Sequence, residues 1–214
     1  MKGDKIIILP HHEKAARGAA DLLLPAIEAA DGRFALTVAG ESGAGKSEIA
    51  AALAEILAAS GITCTILQQD DYFVYPPKTN AEVRRKDIGH VGTSEVRLDL
   101  MDENLEHAIA GSARITKPLV DFDADSIGEE IVDLEDIDVL IAEGTYTTAL
   151  ENVHSRIFID RSYIDTRDAR SLRAREDQDD YLERILTIEH EIISSHKPRA
   201  DIIVTREYDA EKAS

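Results

Sequence analysis

The sequence predicts an α/β fold in which a parallel β-sheet of about five strands carries helices on both faces. Short β-branched runs alternate with helical stretches along the chain, which is the pattern of βαβ units. Residues 137–144 (IDVLIAEG) form a nearly continuous apolar run, typical of a parallel strand that is buried on both faces. The 214 residues contain no internal repeat and no long linker, so we expect a single domain over residues 1–214.

Charge and composition narrow the classes of function. The chain carries 24 basic and 42 acidic residues, a formal net charge of -18, which argues against nucleic acid and anionic membranes as partners. The apolar run at residues 6–9 is too short for a signal peptide or a membrane span, so we expect a cytoplasmic protein. The single Cys64 permits no internal disulfide and is expected to be a small buried side chain in a strand. Assembly into a homo-oligomer is compatible with these features.

The first half of the chain predicts helix, strand, helix and strand. A helix is expected at about residues 13–30, and FALTVA at 34–39 is the first strand. The next helix covers residues 46–59 and ends before Gly61, an ordinary C-terminal cap. ITCTILQ at 62–68 is the second strand.

The second half begins with a polar, proline-containing loop and continues with helices and strands. LDLMDENLEHAIAG has its apolar residues at helical spacing, and Gly111 stops that helix. Two β-branched segments around an acidic turn predict a small hairpin at about 112–134 that projects from the main sheet. The expected elements are a loop at 70–93, helices at 98–111 and about 165–195, and strands at 137–144, 155–160 and 200–205.

The strongest motif is GESGAGKS at residues 40–47, which satisfies the pattern G-x-x-x-x-G-K-[ST] between a predicted strand and a predicted helix. Its glycines let backbone N–H groups curl around phosphates, and the helix points its positive end at the same anion. Lys46 would reach the β and γ phosphates, and the Ser47 hydroxyl would be a Mg²⁺ ligand. The residues predicted to bind the phosphates of ATP are Gly40, Glu41, Ser42, Gly43, Ala44, Gly45, Lys46 and Ser47.

Other nucleotide-binding classes lack their signatures here. The sequence contains no N-K-x-D for guanine and no LSGGQ of a transporter ATPase. Its D-x-x-G, at residues 125–128, falls in the acidic turn of the predicted hairpin and not at the end of a sheet strand.

Carboxylates follow two of the predicted strands, at the edge of the sheet where ligands bind in α/β folds. Asp70 and Asp71 come directly after the second strand, and one of them could accept a hydroxyl proton and help to hold Mg²⁺. The alternative is that these aspartates cap a helix or a turn. Glu143 ends the most buried strand, where coordination of Mg²⁺ is favoured over a capping role because a buried acid needs a cation.

Arginines recur every third residue in the charged helical stretch, at Arg167, Arg170 and Arg173, with Arg175 close by. One interpretation is a lid whose cations close over the transferring phosphates. The other is a solvated helix face on which these arginines pair with neighbouring acids. The spacing does not choose between them.

Histidines and aromatic residues carry less information. The seven histidines show no metal-binding spacing, and His90, in GHVG, is kept as a candidate for a substrate loop. Tyr72, Phe73 and Tyr75 cluster after Asp70, where they could line a pocket or pack the loop onto the core.

Taken together, these residues resemble the uridine kinase/phosphoribulokinase family of P-loop small-molecule kinases, from about residue 34 to residue 209. GESGAGKS looks like the family's phosphate loop, and QDDYF like its Asp-x-aromatic catalytic segment. KPLVDF is similar to the first strand of its substrate hairpin, IAEG to its strand ending in a metal-associated Glu, and RADIIVTREYD to its closing strand and adenine-side turn. The resemblance implies the P-loop kinase fold, with the hairpin at 112–134 as substrate element and a helical lid at 163–182.

The resemblance also implies a chemistry: ATP and Mg²⁺ as cofactors, and transfer of the γ-phosphoryl group to a hydroxyl of a small metabolite. By position, Asp70 would be the base, because the family's acid stands two residues before the aromatic. Lys46 would act on the phosphates, Arg170 and Arg173 would be lid arginines, and the metal would lie at Ser47, Glu143 and Asp70.

The hairpin departs from the uridine kinase pattern. Val120 stands where those kinases have a tyrosine, and Asp123 and Asp125 follow Phe122. This favours an acceptor that is smaller or more polar than a pyrimidine nucleoside. An acidic acceptor would need a counter-cation, for which Arg84, Arg85 and Lys86 are candidates. The rival functions are a P-loop ATPase or switch acting on a protein partner and a non-catalytic nucleotide sensor.

Overall fold

A computed structural model describes residues 6–167, 170 and 179–213 of the chain, and a six-stranded sheet forms its centre. The strands are β1 (Phe34–Gly40), β2 (Cys64–Gln68), β3 (Arg114–Asp121), β4 (Ser126–Asp133), β5 (Val139–Gly144), β6 (Ser155–Ile159), β7 (Ile202–Val204) and β8 (Ala210–Lys212). The helices of the described residues are α1 (Pro10–Ala29), α2 (Lys46–Ala59), α3 (Pro77–Lys86), α4 (Leu98–Ile109) and α5 (Asp180–His196).

The central sheet has the order β2-β5-β1-β6-β7-β8. The first five of these strands are parallel, as predicted, and β8 pairs antiparallel with β7 at the edge. Sequence analysis missed β8 because its three residues, Ala-Glu-Lys, show neither an apolar run nor β-branched side chains. In the register of the sheet, Glu143 lies opposite Val38 on one side and Gln68 on the other, so the carboxyl ends of three strands meet.

Helices cover both faces of the sheet. Helices α1 and α2 pack on one face, against alternate strand residues such as Leu36 and Val38, and α4 and α5 pack on the other, against residues such as Ala35 and Leu140. All six residues of β5 are buried, which confirms the interpretation of this apolar run as a strand covered on both sides. Cys64 opens β2, half-buried at the edge of the first core, and burial raises the pKa of its thiol to about 11.

Two helix predictions need correction. Helix α1 starts at Pro10, three residues earlier than expected, since proline is well suited to the first turn. The segment at 70–93 is not only a loop, because it contains α3. Helix α3 lacks an apolar face, and Asn80 is its buried residue, so its sequence PKTNAEVRRK gave no hydrophobic period to detect.

The hairpin is confirmed: β3 and β4 form a separate two-stranded antiparallel sheet from Arg114 to Asp133. The charged helical stretch is confirmed from Asp180, where α5 begins, and residues 163–166 form a turn. Arg173 and Arg175 lie outside the described residues. No helix in the described part of the chain is long and apolar enough to cross a membrane.

Candidate active site

The phosphate loop connects the end of β1 to the start of α2. Gly43 and Gly45 have φ angles of +77° and +91°, in the left-handed region where a side chain would be strained. A Cβ atom at Gly45 would lie 2.8 Å from Nε2 of His12, a buried residue of α1. The Lys46 ammonium donates a hydrogen bond to the Glu41 carbonyl at 3.1 Å, so the lysine is folded over the loop. The positive φ angles of Gly43 and Gly45 give the backbone the conformation that an anion-binding loop requires.

Glu143, near the end of β5, contacts the last residue of the phosphate-loop motif, Ser47. The Ser47 hydroxyl donates a hydrogen bond of 3.1 Å to its Oε1, and the residue is 5% exposed. Burial, and then the negative charge of Asp70, raise the pKa of Glu143 to about 7, while the Lys46 charge and the Ser47 hydrogen bond lower it. Ser47 and Glu143 are thus in contact at the carboxyl edge of the sheet, and the charges of Asp70 and Lys46 both act on the Glu143 carboxylate.

This donor set suits Mg²⁺, which prefers hard oxygen ligands and is commonly held by one or two carboxylates together with substrate phosphates and water. Ser47 and Glu143 are in direct contact, and Asp70 lies close enough to affect the ionisation of Glu143. In the part of the chain described here, no group of three His, Cys, Asp or Glu side chains is arranged to hold a metal. A cation at this point would therefore take further ligands from phosphate oxygens.

The two neighbouring aspartates have different environments. Asp71 is 2% exposed, and its carboxylate accepts hydrogen bonds from the Lys117 ammonium at 2.7 Å and from the backbone N–H of Val120 at 3.1 Å. It therefore anchors the hairpin to the end of β2. Asp70 is half-buried on the side of Glu143. Sequence analysis did not foresee the part played by Lys117, because its partner lies 46 residues away in the chain.

Arg170 lies on the phosphate loop. It is 9% exposed, and a Cβ atom at Gly43 would come within 2.8 Å of its Cγ. Its guanidinium donates to the Thr166 hydroxyl at 2.6 Å and to the Tyr163 carbonyl. Arg170 therefore does not lie on a solvated helix face, whereas Arg167 is exposed.

The aromatic residues after Asp70 divide between the two expected roles. Tyr72 is completely buried, its hydroxyl accepts a 2.9 Å hydrogen bond from Asn104, and burial raises its pKa to about 12. It packs the loop onto the core. Tyr75 is 39% exposed, and its ring lies 5.7 Å from that of His90. His90 is partly buried, and its Nε2 lies 3.1 Å from Oδ1 of Asn80.

Two polar candidates on the acceptor side have structural roles instead. The Arg84 guanidinium pairs with Glu95, which is fully buried, so it is not a spare cation for an acidic acceptor. Burial lowers the pKa of Arg84, but the hydrogen bond to Glu95 and the charges of Glu189 and Glu95 outweigh burial and raise it. Asp125 accepts from the backbone N–H of Lys78 at 2.7 Å and from the Thr79 hydroxyl at 2.9 Å, which caps the first turn of α3. Long-range pairing of this kind is not visible in sequence spacing.

Comparison with known proteins places these features in a family. Residues 35–206 match the model of the Phosphoribulokinase / Uridine kinase family. The chain is 28% identical over 192 residues to the bifunctional alpha-galactosidase/sucrose kinase AgaSK of Mediterraneibacter gnavus, covering 83% of this chain and 20% of that protein. It is 32% identical over 111 residues to the uridine kinase of Ureaplasma urealyticum serovar 10, covering 51% of each chain.

A solved structure shows the same fold. D-glycerate 3-kinase from Cryptococcus neoformans superposes with a TM-score of 0.63 at 14% identity, covering 92% of this chain and 99% of that one. The sequence matches span a fifth of AgaSK and about half of the Ureaplasma protein. The family match covers most of the chain, including the phosphate loop, Asp70 and Glu143, and the protein belongs to the Phosphoribulokinase / Uridine kinase family.

Proposed function

We propose that the protein transfers the γ-phosphoryl group of ATP to a hydroxyl of a small metabolite. The observation that carries this proposal is the contact between Ser47 of the phosphate loop and Glu143 at the carboxyl edge of the sheet, where the charges of Lys46 and Asp70 also act on Glu143. Phosphoryl transfer needs a cation over the phosphates, hard oxygen ligands for a metal and a carboxylate on the side of the acceptor.

Each residue has a role in that reaction. The loop amides and Lys46 hold the β and γ phosphates, and Lys46 exchanges the Glu41 carbonyl for phosphate oxygens. Asp70 accepts the proton of the acceptor hydroxyl. The hydroxyl oxygen bonds to the γ-phosphorus of ATP, and the bond between that phosphorus and the oxygen of the leaving ADP breaks. Ser47 and Glu143 would hold Mg²⁺, which supplies charge neutralisation on the phosphates. Arg170 keeps residues 163–166 against the loop.

The acceptor is proposed to be other than a pyrimidine nucleoside. Val120 is completely buried, and its backbone N–H is bound by Asp71, so this position presents no ring on which a base could stack. Of the candidate counter-cations, Arg84 is tied to Glu95 and the Arg85 guanidinium lies over the Tyr181 ring, 5.3 Å from its centroid, which supports a neutral, hydroxyl-rich acceptor. A sugar or polyol fits this description, and AgaSK, by its name a sucrose kinase, is in keeping with it.

The test is ADP release by purified protein with Mg²⁺-ATP and a panel of acceptors: sucrose and simple sugars, glycerate, pantothenate, ribulose 5-phosphate, uridine and cytidine. Lys46→Ala serves as the blank, because it removes the phosphate-binding ammonium. Acceptor-dependent turnover that is lost in the blank supports the kinase and names its acceptor. Turnover with uridine would contradict the acceptor class, and hydrolysis that no acceptor stimulates would favour an ATPase or switch.

A further inference from the structure

Glu41 places a carboxylate in an anion-binding loop, where a negative charge facing the phosphates would repel them. Its side chain is 8% exposed. A buried carboxylate needs hydrogen-bond donors or a cation. The contacts of Glu41 show where the carboxylate turns instead.

The Glu41 carboxylate faces away from the phosphate loop, toward the start of the lid and α5. One oxygen accepts the backbone N–H of Tyr163, and the other lies 2.6 Å from Nδ1 of His190. The rings of Tyr163 and His190 meet edge to face at 5.7 Å. Glu41 thus ties together three segments that are distant in the chain.

The next two loop residues contact the same part of the lid. The Ser42 carbonyl accepts a hydrogen bond of 2.8 Å from the Thr166 hydroxyl, and Gly43 packs under the Arg170 side chain. We call residues 162–167 together with Arg170 the lid turn. Three consecutive residues of the phosphate loop therefore carry the lid turn, and Arg170 braces it from within.

Glu41 also contacts the phosphate-binding lysine, since Lys46 donates to its carbonyl at 3.1 Å. When Lys46 turns to a phosphate, it leaves the peptide that joins Glu41 to Ser42, and the Ser42 carbonyl is bonded to Thr166. The contact of Lys46 and the contact of Thr166 therefore fall on two adjacent peptide units of the loop, which meet at the Cα atom of Ser42.

We propose that Glu41 and His190 are positioning residues that hold the lid turn on the phosphate loop and keep water from the transferring phosphoryl group. Neither residue touches the reacting atoms. Their role is to fix the lid turn, whose departure would admit water as a competing acceptor. The contact itself is independent of catalysis, and its effect on transfer rests on the proposed kinase function.

The contact is tested first without an acceptor, by the rate at which trypsin cuts after Arg167 and Arg170, with the fragments identified by mass spectrometry. Glu41→Gln keeps the shape but removes the charge, and His190→Ala removes the partner. Each variant should be cut about three to ten times faster than the wild type, since one charge-assisted contact is lost. Glu55→Gln and His107→Ala, at exposed positions of α2 and α4, are the matched controls and should match the wild type.

The second test compares ATP hydrolysis with acceptor phosphorylation. Each variant should raise the ratio of hydrolysis to transfer about three- to tenfold, an effect that simple loss of folded protein does not produce. Wild-type cleavage rates in both variants would overturn the proposal, whatever the activity. If cleavage accelerates and the wild type phosphorylates no acceptor, the contact stands and the proposed function fails. If cleavage accelerates and the ratio stays constant, the role in excluding water is wrong.

Discussion

Asp71 and Lys117 form an ion pair of 2.7 Å in which both side chains are almost completely buried, at 4% and 5% exposure. The pair fixes the hairpin to the end of β2, directly beside Asp70. Lys117 also reaches Glu130 on β4, at 2.8 Å, so both strands of the hairpin depend on one ammonium group. The orientation of the hairpin relative to Asp70 therefore rests on this contact.

Lys117→Met should destabilise the protein by about 3–5 kcal/mol, because it leaves the Asp71 carboxylate buried without its cation. Urea unfolding measures the change. The matched control is Lys14→Met, whose pair with Asp209 has the same length of 2.7 Å but is 51% and 60% exposed. That change should cost less than about 1 kcal/mol. Equal losses in the free energy of unfolding would show that the buried pair contributes no more to stability than the exposed pair.

Asp70→Asn should lower the rate of acceptor phosphorylation by about 10²- to 10⁴-fold, since the amide cannot accept the hydroxyl proton. Binding of ATP, measured by calorimetry without an acceptor, should persist. Asp99→Asn, on the exposed side of α4, is the control and should retain wild-type turnover. Undiminished turnover in Asp70→Asn would remove Asp70 from the role of base.

Stability should depend on pH through Glu143. Its pKa of about 7 in the folded protein exceeds the usual value of 4.5, so between these values the folded state holds a proton that the unfolded state has released. In the metal-free protein, the contribution of Glu143 to the free energy of unfolding is fully present below pH 4.5 and is lost as the pH rises through 7. The loss is on the order of 3 kcal/mol.

Urea unfolding at pH 5, 6, 7 and 8, compared between the wild type and Glu143→Gln, isolates this contribution from other titrating groups. The variant should show a flatter profile. Mg²⁺-ATP should stabilise the wild type more at pH 8 than at pH 6, because the metal needs the ionised carboxylate. Parallel pH profiles of wild type and variant would contradict the raised pKa.

Gly43→Ala should weaken both folding and ATP binding. Its φ of +77° strains any side chain, and its new methyl group would lie 2.8 Å from Arg170 Cγ. Gly61 provides a close control, since its φ is +79° and nothing lies within 4 Å of a Cβ atom there. Gly61→Ala should therefore show only the strain, about 1 kcal/mol. A similar cost at both sites would mean that the lid turn moves aside freely.

Local patterns account for most of the fold and for the phosphate-binding half of the site. Strand β5 was predicted because a parallel strand buried on both faces must be apolar throughout, and α2 because its phosphate loop and terminal glycine bound it. Residues 40–47 can hold phosphates through a backbone conformation that the glycines within the loop itself determine. Neither helix α3 nor strand β8 has an apolar period that a sequence pattern could reveal. Polar contacts with distant residues hold α3 in place, and pairing with the edge strand β7 holds β8.

The sequence by itself therefore determined the parallel α/β architecture, the phosphate loop and the candidates Lys46, Ser47, Asp70 and Glu143, since each stands at a strand end or in a motif. Only the tertiary structure decided what the remaining charges do. Asp71 anchors the hairpin, Arg84 neutralises Glu95, and Glu41 binds the backbone of Tyr163. The physical reason is distance along the chain: a buried charge is defined by its partner, and a partner tens of residues away leaves no periodic trace in the sequence.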